Sequence, residues 1–327
     1  MRKVVDSNFL QSEKLEVYLS ETTDNYAVLT DYVAMEAYKG DTLKSIYPSM
    51  EILTKHPQQA MVLKGTQIAC GLKGRDAVSQ KPLIDAIQTR QFLEFCQQLH
   101  VAKGGDPSLQ SQLLENGGEA TAHIDRMLLD MPTLASGIDL LEKELSPAEL
   151  EILRRRERTM PQILQELIQN HQMLHKLIQN VTSMAAYLFK DHSSVTKWPK
   201  LPEARDAFIF RYAISGYVLF LKRIRDGGVG KTKPEKLRND VVDVNIVTFA
   251  TYFDGLLTAD KRAAEIYAGA EFLLREVFAM PPWRLRVWLW LSKRFLARPA
   301  LPDRALLAAL TEPLGFRERD AGSRPFG

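Results

Sequence analysis

The sequence predicts an α/β fold whose core is interrupted by a long all-helical segment. Near the amino terminus, a short β-branched strand that ends at Asp6 and a second strand at 26–29 are each followed by a helical pattern of apolar residues. Residues 239–273 read as helix, short apolar run and helix. Between residues 103 and 225 the periodicity is helical almost without interruption. We therefore expect a discontinuous α/β core with an inserted all-α region.

The first part of the core is expected to alternate strands and helices. The first strand ends at Asp6, and the second ends just before Thr30-Asp31, where Asp31 is the expected N-cap of the next helix. That helix carries Glu36, about one and a half turns inside. Three further elements are predicted, namely a helix at 41–56, a strand at 60–63 and a helix at 82–101.

A composition break, Lys103-Gly104-Gly105-Asp106-Pro107, opens the helical segment. Within it, Ser146-Pro147-Ala148-Glu149 has the pattern of a capping box with proline at the first helical position. We interpret residues 103–230 as an inserted helical bundle or lid. The remaining ranges are the first part of the core at 1–102, its second part at 231–298 and a flexible tail at 299–327.

The stretch from 239 to 262 organises the second part of the core. Its first half is predicted to be an amphipathic helix in which Asp240 and Asp243, three residues apart, share a face. Asp254 and a glycine end this helix, and the following apolar run leads to Asp260 at the start of the next helix. Ligands of α/β proteins bind beyond the carboxyl ends of strands, where Asp260 falls. Asp254 lies at the opposite end, and we expect it to be structural.

These residues resemble the PIN domain, a family of metal-dependent nucleases that includes the ribonuclease toxins of bacterial toxin–antitoxin pairs. The resemblance rests on Val5-Asp6-Ser7-Asn8, on Glu36 after the second strand, on Asp243 before the later apolar run and on Thr258-Ala259-Asp260 after it. It covers about residues 1–70 and 232–275. It implies a PIN-like three-layer α/β/α core with a mostly parallel sheet. The long interval between Glu36 and Asp243 departs from a compact member of the family.

The resemblance also implies a carboxylate site for Mg²⁺ or Mn²⁺, because hard cations prefer oxygen ligands. The implied metal ligands and catalytic residues are Asp6, Glu36, Asp243 and Asp260. Asp240 is the substitute ligand if the helix register differs by one turn, and Asn8 and Thr258 would orient ligands or water. Each acid alone also fits a helix cap or an exposed helix position, so the inference depends on their joint order.

The expected activity is metal-dependent hydrolysis of phosphodiester bonds in RNA, endonucleolytic and of the toxin or defence type. The preference for RNA over single-stranded DNA comes from the family resemblance alone. Four cations just upstream of the acids are expected to contact the substrate backbone, namely Lys231, Lys233, Lys236 and Arg238. The alternative is a catalytically silent PIN-like scaffold that binds a protein partner through its helical region.

A glycine-rich run, Asp226-Gly227-Gly228-Val229-Gly230-Lys231-Thr232, resembles the phosphate loop of partition-type ATPases. A helical pattern precedes this run in place of a buried strand, and Asp226 would repel phosphate. We therefore favour a hinge that returns the helical segment to the core. An ATP-driven regulator that binds ATP through Lys231 is the third hypothesis.

The composition of the chain excludes fewer functions than its motifs do. With 327 residues and 45% hydrophobic content the chain can bury a large core, and its net charge of +3 identifies no partner. Cys70 and Cys96 lack metal-ligand spacing and are expected to be buried thiols in a cytoplasmic protein. We expect neither a signal peptide nor a transmembrane segment.

Three weaker patterns leave alternatives open. His171 and His175 are spaced to share a metal, but their position beside an apolar stripe favours packing. A basic patch is either a solvated helix face or a phosphate contact, and it comprises Arg154, Arg155, Arg156 and Arg158. The basic and tryptophan-rich residues 283–298 fit a final strand, a helix or a nucleic-acid or membrane-surface segment.

Overall fold

A computed structural model describes residues 1–72, 80–192, 201–230 and 232–279 of this chain. The protein is mixed α/β, with helices predominating around a small parallel sheet. The strands are β1 (Arg2–Val5), β2 (Tyr26–Leu29), β3 (Ala60–Val62) and β4 (Leu256–Leu257). The predicted α/β class is confirmed, and each predicted strand within these residues forms.

Helices account for most of the described chain. Between the strands of the first part they are α1 (Glu13–Glu21), α2 (Asp31–Ala37) and α3 (Thr42–Lys55), followed after β3 by α4 (Thr66–Gly71) and α5 (Ala86–Lys103). The helical segment contains α6 (Pro107–Arg126), α7 (Met131–Glu144), α8 (Pro147–Leu153), α9 (Met160–Gln169), α10 (His171–Asp191), α11 (Leu201–Ala204) and α12 (Phe208–Arg225). Two helices flank β4, α13 (Pro234–Ala250) and α14 (Lys261–Glu276). The predicted capping box forms at the start of α8, where the Glu149 carboxylate accepts from the Ser146 amide at 2.7 Å.

The sheet has the strand order β3-β2-β1-β4, and every pairing in it is parallel. Val4 pairs with Val28 on one side and with Leu256 on the other, so β1 is a central strand. The apolar residues of β1 and β2 are buried on both faces, as expected for parallel strands covered by helices. From β1 the chain proceeds outward to β2 and β3, whereas β4 returns to the other side of β1.

The helical segment shares the hydrophobic core of the sheet and does not have a separate interior. Its last helix, α12, is buried along almost its whole length and packs against α10, α13 and α14. Gly269 of α14 lies so close to α9 and α12 that an added Cβ would be 2.8 Å from Val218 Cγ1. Residues of α12 and β1 belong to one continuous hydrophobic cluster.

Helix α13 differs from its prediction in one respect. It was expected to bury one face, but it is buried on nearly all sides and packs against β1, α2, α7, α12 and α14. Val241, Val244 and Val247 fill the faces that the amphipathic prediction left to solvent. The reason is that the helical segment covers the outer side of α13, which local periodicity does not reveal.

Asp31 is also placed differently from its prediction. Thr30 is the N-cap of α2, since its Oγ1 accepts from the Val33 amide at 3.2 Å. Asp31 is buried and accepts from the Thr66 amide at 2.6 Å and from the Thr66 hydroxyl at 3.0 Å. Asp31 therefore caps α4, while in its own helix it also accepts from the adjacent Tyr32 amide at 3.0 Å.

Some predictions concern residues outside the described ranges. These are Lys231, the segment 283–298 and the tail 299–327. Among the described helices, none combines the length and apolar character needed to cross a bilayer. The predicted burial of Cys70 and Cys96 as free thiols is confirmed.

Candidate functional site

The candidate site lies at the carboxyl edge of the sheet, between β1 and β4. The strand order makes this the point where successive connections leave in opposite directions, which is where open parallel sheets bind ligands. Asp6 follows the last residue of β1, and Thr258 follows the last residue of β4. The Asp6 amide donates to the Leu257 carbonyl at 2.9 Å, so both strand ends meet here.

Thr258 connects two of the predicted acids. Its hydroxyl donates to Asp6 Oδ2 at 2.6 Å and accepts from the Asp260 amide at 2.9 Å. Burial raises the pKa of Asp6, and the Asp260 carboxylate raises it further, whereas hydrogen bonds from Thr258, the Ser7 backbone and the Asn8 side chain lower it. Thr258 and Asn8 thus both contact Asp6.

Ser7 connects Asp6 to the third acid. Its hydroxyl donates to Glu36 Oε2 at 2.6 Å and lies 3.4 Å from Asp6 Oδ1. Burial raises the pKa of Glu36 and the Asp6 carboxylate adds to the rise, while the cations Lys39 and Arg238 lower it. Glu36 therefore projects from α2 toward the end of β1.

Asp243 on α13 is the fourth acid. Burial raises its pKa well above the ordinary value, and the carboxylates of Asp6, Asp260, Asp240 and Glu36 each raise it further. Within the described part of the chain, the Asp243 carboxylate accepts no hydrogen bond and forms no ion pair. The structure thus brings Asp6, Glu36, Asp243 and Asp260 into electrostatic range of one another, and we call these four residues the acid cluster.

Asp260 belongs to the acid cluster and also caps a helix. It is the N-cap of α14, and its Oδ1 accepts from the amides of Arg262 at 2.5 Å and Ala263 at 3.3 Å. The side chain is partly exposed, and no bond to its other oxygen is found among the described residues. Asp260 is therefore both a helix cap, which is a structural role, and a neighbour of Asp6.

Asp240 does not fit its predicted role as a substitute ligand. The side chain is buried, and both of its oxygens are engaged by arginines. Arg223 donates to Oδ2 through Nε at 2.6 Å and through Nη2, and Arg262 donates to Oδ1 at 2.6 Å. Two strong ion pairs leave no free carboxylate oxygen for a metal. Asp254 is structural, as expected, since it accepts from the Arg2 amide at 2.6 Å.

The four predicted substrate-backbone cations differ in their surroundings. Lys233 and Lys236 are exposed near the start of α13, whereas Arg238 is buried. Arg238 is paired with Asp125 of α6 at 3.1 Å and also contacts the neighbouring Asn239. Arg238 therefore lies near Glu36 but its charge is already partnered. Lys231 falls outside the described residues.

The glycine-rich run follows the end of helix α12. The amide of Gly228 donates to the Arg223 carbonyl at 2.9 Å, and Gly227 and Gly228 have φ of 104° and 80°. These left-handed glycines form a helix C-cap. Asp226 accepts from Lys222 at 2.6 Å, so the loop opens with a carboxylate already paired. The loop follows helix α12, not a buried strand.

The two other patterns also have structural explanations. Three arginines of the basic patch pair with glutamates, Arg154 with Glu142, Arg155 with Glu151 and Glu166, and Arg158 with Glu166. His175 is buried on α10, and burial lowers its pKa, whereas His171 is exposed. The described residues contain no group of three or more His, Cys, Asp or Glu arranged closely enough to hold a metal ion.

Two residues of this region had no predicted role. Ser7 belongs to the motif Val5-Asp6-Ser7-Asn8, but only the fold shows that its hydroxyl donates to Glu36. Arg262 pairs with Asp240 beside the acid cluster. One signal was available for Arg262. Cations are unfavourable in the first turn of a helix, yet Lys261 and Arg262 both occupy that turn of α14.

The Asp243 carboxylate has no hydrogen-bond donor or ion-pair partner among the described residues. Burial raises its pKa, and so do four acids, of which Asp240 is itself paired with arginines. An unpartnered carboxylate in such surroundings suits a positively charged ligand. Comparison with known proteins adds no assignment. No protein-family model, curated protein or solved structure matches this chain.

Proposed function

We propose that this protein is a divalent-metal-dependent nuclease whose active site is the acid cluster. The observation that carries the proposal is the environment of Asp243, whose ionised carboxylate is raised in energy by burial and by four neighbouring acids. Among the described residues nothing donates a hydrogen bond to it or pairs with it. Asp243 is partly buried, and a carboxylate that is withdrawn from water without a partner is costly. A bound cation would offset that cost.

The proposal includes a PIN-like three-layer α/β/α core. It is supported by the parallel sheet and by the place of each acid relative to the strands. Asp6 follows β1, Glu36 lies in the helix after β2, Asp243 precedes β4 and Asp260 follows it. This is the order of motifs on which the family resemblance rests.

The donor set fits Mg²⁺ or Mn²⁺, which take oxygen ligands and retain several waters. One or two carboxylates suffice for Mg²⁺, so a ready group of three ligands is not required. Asp6, Glu36, Asp243 and Asp260 would hold the ion. When bound, it would lower the pKa of a water and neutralise charge on a phosphate. Ser7 and Thr258 keep the carboxylates of Glu36 and Asp6 oriented.

The proposed substrate is RNA, cleaved within the chain, and single-stranded DNA has the same phosphodiester chemistry. The choice of RNA follows the family resemblance. Exposed Lys233 and Lys236 supply backbone contacts that carry no sequence information. The proposed role is that of a toxin or defence nuclease.

The direct test is incubation of the purified protein with end-labelled RNA and single-stranded DNA, with Mn²⁺ or with chelator. We expect cleavage with Mn²⁺ only, and we expect Asp243→Asn and Asp6→Asn to reduce it to the chelator background. Asp254→Asn is the matched control, because Asp254 lies at the other end of β4 and bonds the Arg2 backbone. Undiminished cleavage by both active-site variants would exclude the acid cluster.

A catalytically silent scaffold that binds a protein partner is the second candidate. One observation favours it, namely that the described residues contain no ready group of three metal ligands. Thermal unfolding discriminates between the two candidates, because a ligand that binds the folded state raises its Tm. No rise with excess Mn²⁺, together with no cleavage, would support the scaffold.

A further inference from the structure

An arginine network borders the acid cluster on the side of α14. Arg223 and Arg262 share the carboxylate of Asp240, which is buried. Arg223 is also buried, and Asp240 is its ion-pair partner. Arg262 is the more exposed of the two arginines, and the carboxylates of Asp260 and Asp226 also lie within electrostatic range of it.

The guanidinium of Arg262 has unused donors. Nη1 donates to Asp240, while Nε is buried and has no acceptor in the described part of the chain. Nη2 likewise has no acceptor among the described residues. An arginine carries five N–H donors in a planar fork that matches phosphate oxygens. Asp240 thus anchors one arm of the fork and leaves the others available.

The position of Arg262 is unfavourable for stability alone. It is the second residue of α14, where the helix dipole disfavours a cation. A buried N–H without an acceptor is an additional cost that demands an explanation. Its backbone amide meanwhile donates to Asp260 Oδ1 at 2.5 Å, which fixes the residue beside the acid cluster. A guanidinium held beside the acid cluster with unused donors suits a ligand that carries acceptor oxygens.

We propose that Arg262 is a catalytic residue that contacts a phosphate oxygen of the bound nucleic acid, and that Asp240 is the positioning residue that holds it. This inference rests on the proposed nuclease function. The acid cluster repels a phosphodiester, so the substrate phosphate needs a fixed cation from the protein as well as the metal. Asp240 raises the pKa of Asp243, so the network lies within electrostatic range of the cluster.

The first test measures binding without cleavage. Fluorescence anisotropy gives the affinity for labelled single-stranded RNA, with Ca²⁺ replacing Mn²⁺, over a series of KCl concentrations. For Arg262→Gln we expect the slope of log affinity against log salt to decrease in magnitude by about 0.7, the value for one phosphate contact on a single strand. Arg275→Gln is the matched control, because it removes an exposed arginine near the other end of α14. Arg275→Gln should leave the slope unchanged.

The second test measures cleavage and metal dependence. We expect Arg262→Gln to lower kcat at least about tenfold while the Mn²⁺ concentration for half-maximal activity stays unchanged. Arg262→Lys keeps the charge but loses the fork, so it should rescue only part of the rate. Asp240→Asn should lower kcat in the same way, without altering the Mn²⁺ requirement. A raised Mn²⁺ requirement for Asp240→Asn would make Asp240 a metal ligand and contradict the positioning role.

These outcomes separate the inference from the proposed function. If the wild-type protein cleaves and Arg262→Gln has the same salt slope as Arg275→Gln, the role of Arg262 is wrong and the nuclease stands. If the wild-type protein binds RNA without cleaving and the slope decreases for Arg262→Gln, the nuclease is wrong and the phosphate contact stands. If the wild-type protein neither binds nor cleaves, both are wrong.

Discussion

Two hydroxyl groups fix the carboxylates of the acid cluster. Ser7 donates to Glu36 and Thr258 donates to Asp6, each at 2.6 Å. A hydrogen bond to an ionised acceptor is stronger than a neutral one, and it holds the carboxylate in one orientation. Thr258 has the larger part, because it also accepts from the Asp260 amide at 2.9 Å. The Thr258 hydroxyl therefore connects the Asp6 side chain at the end of β1 with the Asp260 backbone at the start of α14.

Replacing Thr258 tests this coupling. Thr258→Val keeps the shape of the side chain but removes the donor, so Asp6 should lose its orientation. We expect Mn²⁺ affinity or cleavage to decrease about 10–100-fold, as for other groups that orient metal ligands. Thr258→Ser restores the hydroxyl and is the matched control, with activity close to that of the wild-type protein. Equal activity in the valine and serine variants would show that the hydrogen bond to Asp6 has no functional role.

At this scale the sequence predicted the acids better than their partners. Asp6 and Asp260 follow apolar runs, so their place at strand ends could be inferred locally. The pairing of Asp240 with Arg223 could not, because the two residues come from different helices and meet only when α12 packs on α13. A carboxylate on a helix has the same local pattern whether it faces a metal or an arginine.

At the scale of elements, close packing of α6 on α3 connects the helical segment to the core. Gly117 and Gly118 are adjacent in α6, yet their surroundings differ completely. A Cβ on Gly117 would lie 2.1 Å from Thr42 Oγ1 at the start of α3, whereas a Cβ on Gly118 would meet nothing within 4 Å. Helix α6 can approach α3 because Gly117 has no side chain.

The two glycines therefore predict opposite results for the same substitution. Gly117→Ala should lower the free energy of unfolding by about 1–3 kcal/mol, since the added methyl group is forced against Thr42. Gly118→Ala should raise it by up to about 1 kcal/mol, because alanine favours the helix and the methyl group has space. Urea unfolding of both variants measures the difference. Stabilisation by both substitutions would mean that α6 does not pack closely on α3.

The types of these elements were predictable, but their arrangement was not. Strand β2 was expected at 26–29 and is found at Tyr26–Leu29, because a short apolar run bounded by polar residues is a local signal. The order β3-β2-β1-β4 depends on long-range pairing, and no local pattern specifies it. The burial of α13 on nearly all sides is likewise not a local signal, because the periodicity within α13 does not reveal that α7 and α12 cover it.

At the scale of the whole molecule, the helical segment is part of the interior. Phe208 and Phe220 of α12 are completely buried, and Phe208 packs against Phe249 of α13 with ring centroids 4.6 Å apart. Removing a helix of this kind would expose both α13 and α14 to water. The segment between the two parts of the core therefore stabilises the helices that carry Asp243 and Asp260.

A deletion tests this interdependence. If residues 103–230 are replaced by a short glycine-serine linker, the remaining core should fail to unfold cooperatively, because its apolar helices lose their packing partners. Circular dichroism during heating, together with size-exclusion chromatography, provides the measurement. A monomeric deletion variant that melts cooperatively and gains thermal stability with Mn²⁺ would show that the core folds alone.

The acid cluster also makes stability depend on pH. Burial and mutual repulsion raise the pKa of Asp6, Glu36 and Asp243 above the values of the unfolded chain, which are about 4. In the metal-free protein the folded state then binds more protons than the unfolded state, so the free energy of unfolding decreases as pH rises. The stabilising contribution is complete below the unfolded pKa and is lost as pH rises through the folded pKa. A bound cation favours the ionised carboxylates and reverses this trend.

Asp243→Asn isolates the effect, because it removes the acid whose pKa is raised by all the others. Without metal at pH 7.5, we expect this variant to be more stable than the wild-type protein, with a Tm higher by roughly 2–4 °C per kcal/mol gained. The advantage should shrink near pH 4, where the wild-type carboxyl groups are protonated. With Mn²⁺ at pH 7.5 the order should reverse, since only the wild-type protein gains binding energy. Asp254→Asn, outside the cluster, should follow the wild-type protein throughout, and a destabilised metal-free Asp243→Asn at pH 7.5 would contradict the proposed repulsion.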